Sequence, residues 1–240
     1  MIVGTLNIRE GCSTVKKRRI HQIITKGEAD IFLMQETKLR ICSVATARSV
    51  WRQDKVDFSA SNSEGMSSGL ITLWNARIME VLFSFRGPGY LGIKVRWMNR
   101  IYYVCNVYSA CTLTLKRVLW NKLLELQSSF CDGGERMGSS IGGGLAGWGE
   151  FSCFINDNGL IDVPCKWKKY SWFSGDSKHK SRIDQFLVFN NIINRWGIVG
   201  QLIGLRDISD HCPVWLVVVK EDWARSLSNS IMSGFNIRIS

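Results

Sequence analysis

Short apolar runs bounded by polar or turn-forming residues recur along most of the chain, and a few stretches of helical spacing interrupt them. Residues 2–6 read as a strand, 15–26 as a helix with Ser13 or Thr14 as its N-cap, and 30–34 as a second strand. Runs at 69–74, 78–85, 91–97 and 101–107 are rich in β-formers and predict further strands. The spacing of Leu119, Leu123 and Leu124 predicts a helix over 115–127 with these three on one face, and 151–156 predicts part of another. Late strands are predicted at 170–173, 183–189 and 213–219. Many strands with few helices between them argue against a doubly wound parallel sheet. They predict an α/β protein of two packed mixed β-sheets flanked by helices.

The 240 residues suit one large domain or two small ones. A chain of this size buries roughly 70% of its unfolded surface. No internal repeat is visible. The one biased stretch, 133–149, is rich in Gly and Ser and reads as a flexible loop. Residues 221–240 lose the strand pattern and read as a tail, which leaves 1–220 as the domain.

Charge changes the picture. Lys and Arg total 31 against 20 Asp and Glu, a formal net charge of +11, and such a surplus attracts polyanions, nucleic acid before anionic membrane. A merely basic soluble protein is the plain alternative. The 8 cysteines include no Cys-x-x-Cys pair, which speaks against a zinc site, and they fall largely in apolar runs, as buried free thiols do. The first residues carry no charged-then-apolar leader, and no run reaches the ~20 apolar residues of a membrane span. The expectation is a reducing, intracellular setting without membrane insertion, and a monomer is favoured.

Candidate chemistry sits where apolar strands end, the rigid and solvent-open positions of a sheet protein. Asn7 follows the first strand, Glu36 the second and Tyr108 the strand ending Cys105-Asn106-Val107, Asp184 lies in Ser181-Arg182-Ile183-Asp184-Gln185, and Asp210 and His211 precede the last strand. Carboxylates with an amide make a hard oxygen set suited to Mg²⁺. A His beside an Asp is a general acid/base with a held tautomer, and a Tyr hydroxyl can donate to a phosphate oxygen. Singly, each has a structural reading as well: Asn7 as a turn former, Glu36 as a surface carboxylate, Tyr108 as a strand-end aromatic, Asp210 and His211 as a loop pair. Asp184, between Ile183 and Phe186-Leu187-Val188, reads as part-buried and therefore paired. His21 reads as a helix-surface or packing residue.

Their order along the chain adds more. The series Leu6-Asn7-Ile8-Arg9, Gln35-Glu36-Thr37-Lys38, Asn106-Val107-Tyr108-Ser109, Ser181-Arg182-Ile183-Asp184 and Ser209-Asp210-His211-Cys212-Pro213 closely resembles the motif series of the endonuclease/exonuclease/phosphatase superfamily. It looks most like the apurinic-type endonuclease at the front of plant non-LTR retrotransposon polyproteins. The connecting stretches Lys16-Lys17-Arg18-Arg19, Gly159-Leu160-Ile161-Asp162 and Lys169-Tyr170-Ser171-Trp172 stand in matching order, and the resemblance covers roughly residues 1–220.

The resemblance implies a DNase I-like four-layer sandwich and a Mg²⁺-dependent phosphodiester hydrolase acting on DNA, with Mn²⁺ as a substitute metal and a nuclear location for a working copy. It implies Glu36 as the metal ligand with Asn7 beside it, Asp210 supporting the metal site, and Tyr108 on the scissile phosphate. His211 would bond phosphate or substrate, oriented by Asp184, with Arg182 and Ser209 in support. One part is missing. The family carries a Gly-Asp-Phe-Asn motif between the tyrosine motif and the late Asp, supplying the residue that activates water and an amide for the transition state. Here Gly133-Gly134 run straight into Glu135-Arg136, which resemble what normally comes several residues later, so a short deletion at 134–135 is expected. Asp132 precedes the glycines and cannot substitute, which leaves Glu135 as the local carboxylate to consider.

Two function classes therefore stand. One is a Mg²⁺-dependent nicking endonuclease, weak or inactive in this copy. The other is a non-catalytic nucleic-acid-binding remnant that needs only the basic runs at 16–19, 166–169 and 178–182. A member of the fold acting on phosphoinositide or phospholipid head groups is a third, permitted by charge and disfavoured by the retrotransposon-like motifs.

Overall fold

A computed structural model describes residues 1–9, 13–51, 55–63, 69–109, 111–129, 135–141 and 148–218, with the backbone alone at 135–141 and 148. In chain order the elements are β1 (Val3–Asn7), α1 (Thr14–Lys26), β2 (Ile31–Gln35), α2 (Val44–Val50), β3 (Val56–Ser61), β4 (Leu70–Asn75), β5 (Glu80–Gly87), β6 (Tyr90–Trp97) and β7 (Arg100–Val107). There follow α3 (Leu113–Ser129), β8 (Glu135–Ile141), α4 (Trp148–Asp157), β9 (Leu160–Asp162), β10 (Cys165–Lys166), β11 (Trp172–Phe173), β12 (Lys180–Ser181), β13 (Asp184–Phe189), α5 (Asn190–Trp196), β14 (Ile198–Ile203) and β15 (Val214–Val218).

Two mixed sheets form the centre. Sheet 1 has 7 strands in the order β10-β14-β15-β1-β2-β4-β3, and sheet 2 has 6 in the order β5-β6-β7-β8-β13-β9. Three pairings are parallel, β1 with β2, β10 with β14, and β7 with β8; the others within these sheets are antiparallel. The main core lies between the sheets, where Val3, Leu33 and Leu216 of sheet 1 join one buried cluster with Ile93, Val104 and Phe186 of sheet 2. β1 and β2 are buried along their whole length, so they read as continuous apolar runs. Outer helices explain this, because α1 buries Ile20 and Ile24 and α2 buries Ala47 and Val50 in the same cluster. On the other side Leu119 of α3 packs with Tyr90 and Val107, and Phe151 of α4 packs with Trp120 and Leu187. The expected four layers are therefore present.

Local signals account for the ends of α1. Ser13 caps it, its Oγ accepting from the Lys16 N–H at 3.3 Å. At the other end a Cβ on Gly27 would overlap the indole of Trp215, so only glycine lets the helix end this close to β15. Trp215 is 2% exposed and packs at 5.6 Å against the ring of Phe32, which fixes the helix over the sheet.

Several expectations need correction. The Gly/Ser-rich stretch expected as a loop contains β8, because a slot between β7 and β13 needs a strand to pair with both, and the small residues of Glu135–Ile141 fill it. Leu124 does not share the buried face of α3; it is exposed while Leu119 is buried. The strand expected at 170–173 shrinks to Trp172–Phe173. α2, β3, α5 and β14 were not foreseen; the polar faces of α2, β3 and α5 hide the periodicity, and β14 carries Gly200 and Gln201 within its buried apolar run. Of the six described cysteines, all free thiols, Cys212 is buried, Cys111 and Cys153 are exposed and the rest are intermediate, so burial was over-read. Cys12, Cys131 and the expected tail at 221–240 lie outside the described residues. No helix among the described residues is long and apolar enough to cross a membrane.

Candidate active site

Strand direction brings the sequence candidates to one end of both sheets. β1 and β2 run parallel and finish side by side, with Asn7 opposite Gln35, and β15 starts beside the same end, with Val214 opposite Thr5. In sheet 2, β7 leaves at this end, since Asn106 stands opposite Ser139, and β13 enters there, since Asp184 stands opposite Ile141. Asn7, Glu36, Tyr108, Asp184, Asp210 and His211 therefore all flank one mouth.

A buried polar seam lies under it. Gln35 Nε2 donates to Thr5 Oγ1 at 2.8 Å and to Asn106 Oδ1 at 2.6 Å, and Asn106 Nδ2 donates to the carbonyls of Met34 and Ile71, each at 3.1 Å. Gln35 and Asn106 are buried, and every amide hydrogen of the two has an acceptor. The seam ties sheet 1 to sheet 2 one residue before Glu36 and two before Tyr108.

Asn7 is 1% exposed and its Nδ2 donates to Glu36 Oε1 at 2.8 Å. Its Oδ1 accepts from the Arg9 N–H at 3.0 Å. Glu36 itself sits at φ +51° and Arg9 at φ +35°, left-handed conformations that non-glycine residues rarely adopt and that cluster at functional sites. The turn at Glu36 is braced by the Thr37 N–H donating to Gly69 O at 3.2 Å. Gly69 is at φ +76°, and a Cβ there would lie 2.6 Å from Thr37 Oγ1, so glycine is required.

The Asp184 carboxylate faces His211, with Nδ1 at 2.8 Å from Oδ2 and 3.0 Å from Oδ1, and both side chains are buried. Ser171, fully buried, assembles this pair: its Oγ accepts from the N–H groups of Ile183 and Asp184, and its carbonyl accepts from Cys212 N. Trp172 completes the brace, pairing with His211 through an isolated bridge and donating Nε1–H to Asp210 Oδ2 at 2.9 Å. Asp210 Oδ2 also meets the Arg9 guanidinium, which links the Asp184–His211 side to the Asn7–Glu36 side. Ser209 Oγ accepts from His211 N at 3.1 Å. Tyr108 is half-buried, its N–H donating to Gly89 O at 2.8 Å.

The Glu36 carboxylate is a hard oxygen donor, the chemistry suited to a hard cation. Among the described residues no group of three or more His, Cys, Asp or Glu stands close enough to hold a metal alone. One or two carboxylates with water and substrate phosphate commonly suffice for Mg²⁺, and Asn7 holds Glu36 by Oε1.

Glu135 does not fit the missing role. β8 runs parallel to β7 with Glu135 opposite Tyr102, six positions before Tyr108, so at 3.3 Å per residue it starts roughly 20 Å from the mouth. The residues after β8 in sequence, 142–147, are Gly, Gly, Gly, Leu, Ala and Gly; they carry no carboxylate or amide side chain and lie outside the described residues.

Part of the basic charge is structural. Lys16 Nζ donates to the carbonyls of Ile8 and Arg9, Arg19 pairs with Asp207, and Lys168 Nζ donates to Gly204 O. Burial lowers the Lys168 ammonium from its ordinary value. Arg182 holds both oxygens of Asp162, at 2.9 and 2.5 Å, and the Val163 carbonyl. Burial pushes the Asp162 carboxyl up, and the facing guanidinium offsets this only in part. His21 lies on α1 beside Thr25, away from the mouth. The sequence reading did not assign roles to Ser171, Trp172, Gln35, Asn106 or Arg9. Their signal was adjacency to the strand-end motifs.

No protein-family model and no curated protein matches the chain. Solved structures do. One is an endonuclease/exonuclease/phosphatase from Bacteroides vulgatus, with 15% identity, a TM-score of 0.69, and coverage of 91% of this chain and 98% of that one. Another is the endonuclease domain of TRAS1, a telomere-specific non-LTR retrotransposon, with 12% identity, a TM-score of 0.68, and coverage of 90% and 97%. A third is the AP endonuclease LMAP from Leishmania major, with 15% identity, a TM-score of 0.66, and coverage of 91% and 87%. At such identity the likeness is one of fold, and it agrees with the expected two-sheet sandwich.

Proposed function

We propose that this chain, built on the fold of the endonuclease/exonuclease/phosphatase proteins, is a Mg²⁺-dependent DNA endonuclease of retrotransposon type whose hydrolytic step has been reduced to a trace. The observation that carries the reading is the buried Asp184–His211 pair opposite the Asn7–Glu36 pair at one mouth. Asp184 holds the imidazole by Nδ1–H, which leaves Nε2 for a phosphate oxygen. Glu36 would hold the metal, with Asn7 fixing its carboxylate and Asp210, itself held by Arg9 and Trp172, supporting that side of the mouth. Bound there, Mg²⁺ supplies charge stabilisation at the phosphoryl and leaving oxygens. Tyr108 stands at the β7 exit to contact the scissile phosphate. A chromosomal DNA target places this work in the nucleus.

The water-activating residue is what the chain lacks. Losing a general base costs ~10²–10⁴-fold and losing an electrostatic donor ~10²–10³-fold more, so cleavage falls to a trace. The second reading, a non-catalytic nucleic-acid-binding remnant, is favoured by Glu135 starting β8 at the far end from the mouth. Nicking of supercoiled plasmid with Mg²⁺, beside Glu36→Ala and His211→Ala, decides between them. Slow nicking that both substitutions abolish supports the enzyme. DNA binding without nicking supports the remnant. Neither binding nor nicking overturns both.

A further inference from the structure

Trp167 is 68% exposed, while every other tryptophan whose side chain is described is buried or partly buried. It stands at φ +70°, and the Lys168 N–H donates across it to Lys166 O at 2.9 Å. That is a γ-turn of the positive-φ kind, which is rare and strained. The turn is anchored on both sides, by β10 pairing with β14 and by Lys168 Nζ on the Gly204 carbonyl. A large ring is thus held out in water by a strained, fixed turn, and among the described residues it joins none of the core clusters.

Its surroundings point to a planar, anionic partner. Lys166 and Lys169 flank the indole and are exposed. Tyr170, 37% exposed, follows three residues on with the Lys180 ammonium 4.9 Å from its ring centroid. Its place in the sheet adds a direction. The end of β10 aligns with the end of β14, which aligns with the start of β15 and so with the exit of β1. Trp167 therefore lies at the mouth end of sheet 1, three strands from β1, about 14 Å away at the usual strand spacing. That distance is about four steps at the ~3.4 Å per-strand rise of duplex DNA, and fewer along an unstacked strand, whose backbone is more extended.

We propose that Trp167 is a stacking platform for an unpaired base of single-stranded DNA, a few nucleotides from the phosphate at the mouth, with Lys166 and Lys169 on the flanking backbone. The proposal rests on the DNA reading of the site and adds to it a preference for an unstacked strand, since only an unpaired base presents its face to an indole. Lysines alone would favour any polyanion. The fixed aromatic between them selects bases.

The test is fluorescence anisotropy with a labelled single-stranded oligonucleotide and a blunt duplex of the same sequence, at several salt concentrations, on the full chain and its variants. Trp167→Ala is expected to weaken single-strand binding about 5- to 100-fold, with duplex binding and salt slope unchanged, and Trp167→Phe to restore most of it. Lys166→Ala and Lys169→Ala are each expected to flatten the log–log salt slope by ~0.7. Unchanged single-strand affinity in Trp167→Ala, with wild-type binding intact, overturns this inference and leaves the DNA reading standing. So does an equal loss on duplex and single strand. Trp167-dependent binding to phosphatidylserine vesicles, with DNA binding unaffected, assigns the platform to a lipid surface and overturns it too. A wild-type chain that binds neither oligonucleotide overturns both readings.

Discussion

The imidazole of His211 and the carboxylate of Asp184 meet at 2.8 and 3.0 Å inside the protein, and Ser171 and Trp172 brace the two segments that carry them. Breaking a buried pair by removing one partner costs about 3–5 kcal/mol, because the other is left uncompensated. His211→Ala and Asp184→Ala should each lower the urea midpoint by that order. Asp184→Asn, which keeps the shape, should cost less in stability yet abolish any nicking, because an amide can present its N–H to Nδ1 and favour the wrong tautomer. A midpoint for Asp184→Ala within error of wild type would show that the pair is not formed.

The seam makes a separate prediction. Asn106→Leu removes one acceptor and two donors and leaves Gln35 Nε2 and the carbonyls of Met34 and Ile71 short of partners. Each unsatisfied buried group costs about 1–3 kcal/mol, so a loss of several kcal/mol is expected, larger than for a surface asparagine. Equilibrium denaturation measures it, with Asn121→Leu on the exposed face of α3 as the comparison.

Metal binding should report on Glu36. At Mg²⁺ or Mn²⁺ concentrations about 100-fold above Kd, a native-state ligand adds about 2.7 kcal/mol, visible as a rise in Tm. Glu36→Ala should erase that rise, and it should also lower the metal-free Tm modestly, since buried Asn7 Nδ2 loses its acceptor. A metal-induced rise that survives Glu36→Ala would move the metal site elsewhere.

Thiol chemistry gives a pH prediction. Burial pushes the Cys212 thiol up to about 11 and the Cys105 thiol up to about 12, from 9.0. At pH 8 the thiolate fraction of Cys212 is then ~0.1%, so a disulfide reagent should modify exposed Cys111 and Cys153 quickly and Cys105 and Cys212 only on unfolding. The same raised values mean that the folded state keeps these protons longer than the unfolded one. Their contribution to stability is whole below pH 9 and declines as pH rises through 11 and 12. Rapid labelling of all four thiols at pH 8 would contradict this.

Much of the fold was legible because the buried strands are continuous apolar runs and Ser13 is a strong cap. What escaped the sequence was set by tertiary context. Ser171 looks like any loop serine until β13 and the segment before β15 converge on it, and Asn106 looks like a strand polar residue until it meets Gln35 across the seam. β8 was hidden for a different reason. Its glycine and serines form a strand only because β7 and β13 leave a slot that demands one.

The amide pair of Gln35 and Asn106 has a bearing on how such a protein decays. It sets the spacing of Glu36 and Tyr108 from within the two sheets, using no residue between 130 and 147. A lesion in that interval therefore removes a chemical group without touching the tie that spaces Glu36 from Tyr108, while β8 in the same interval also flanks β13, which carries Asp184. On the proposed DNA reading, recognition and hydrolysis are then separable, and a chain that no longer cuts would still occupy a target strand.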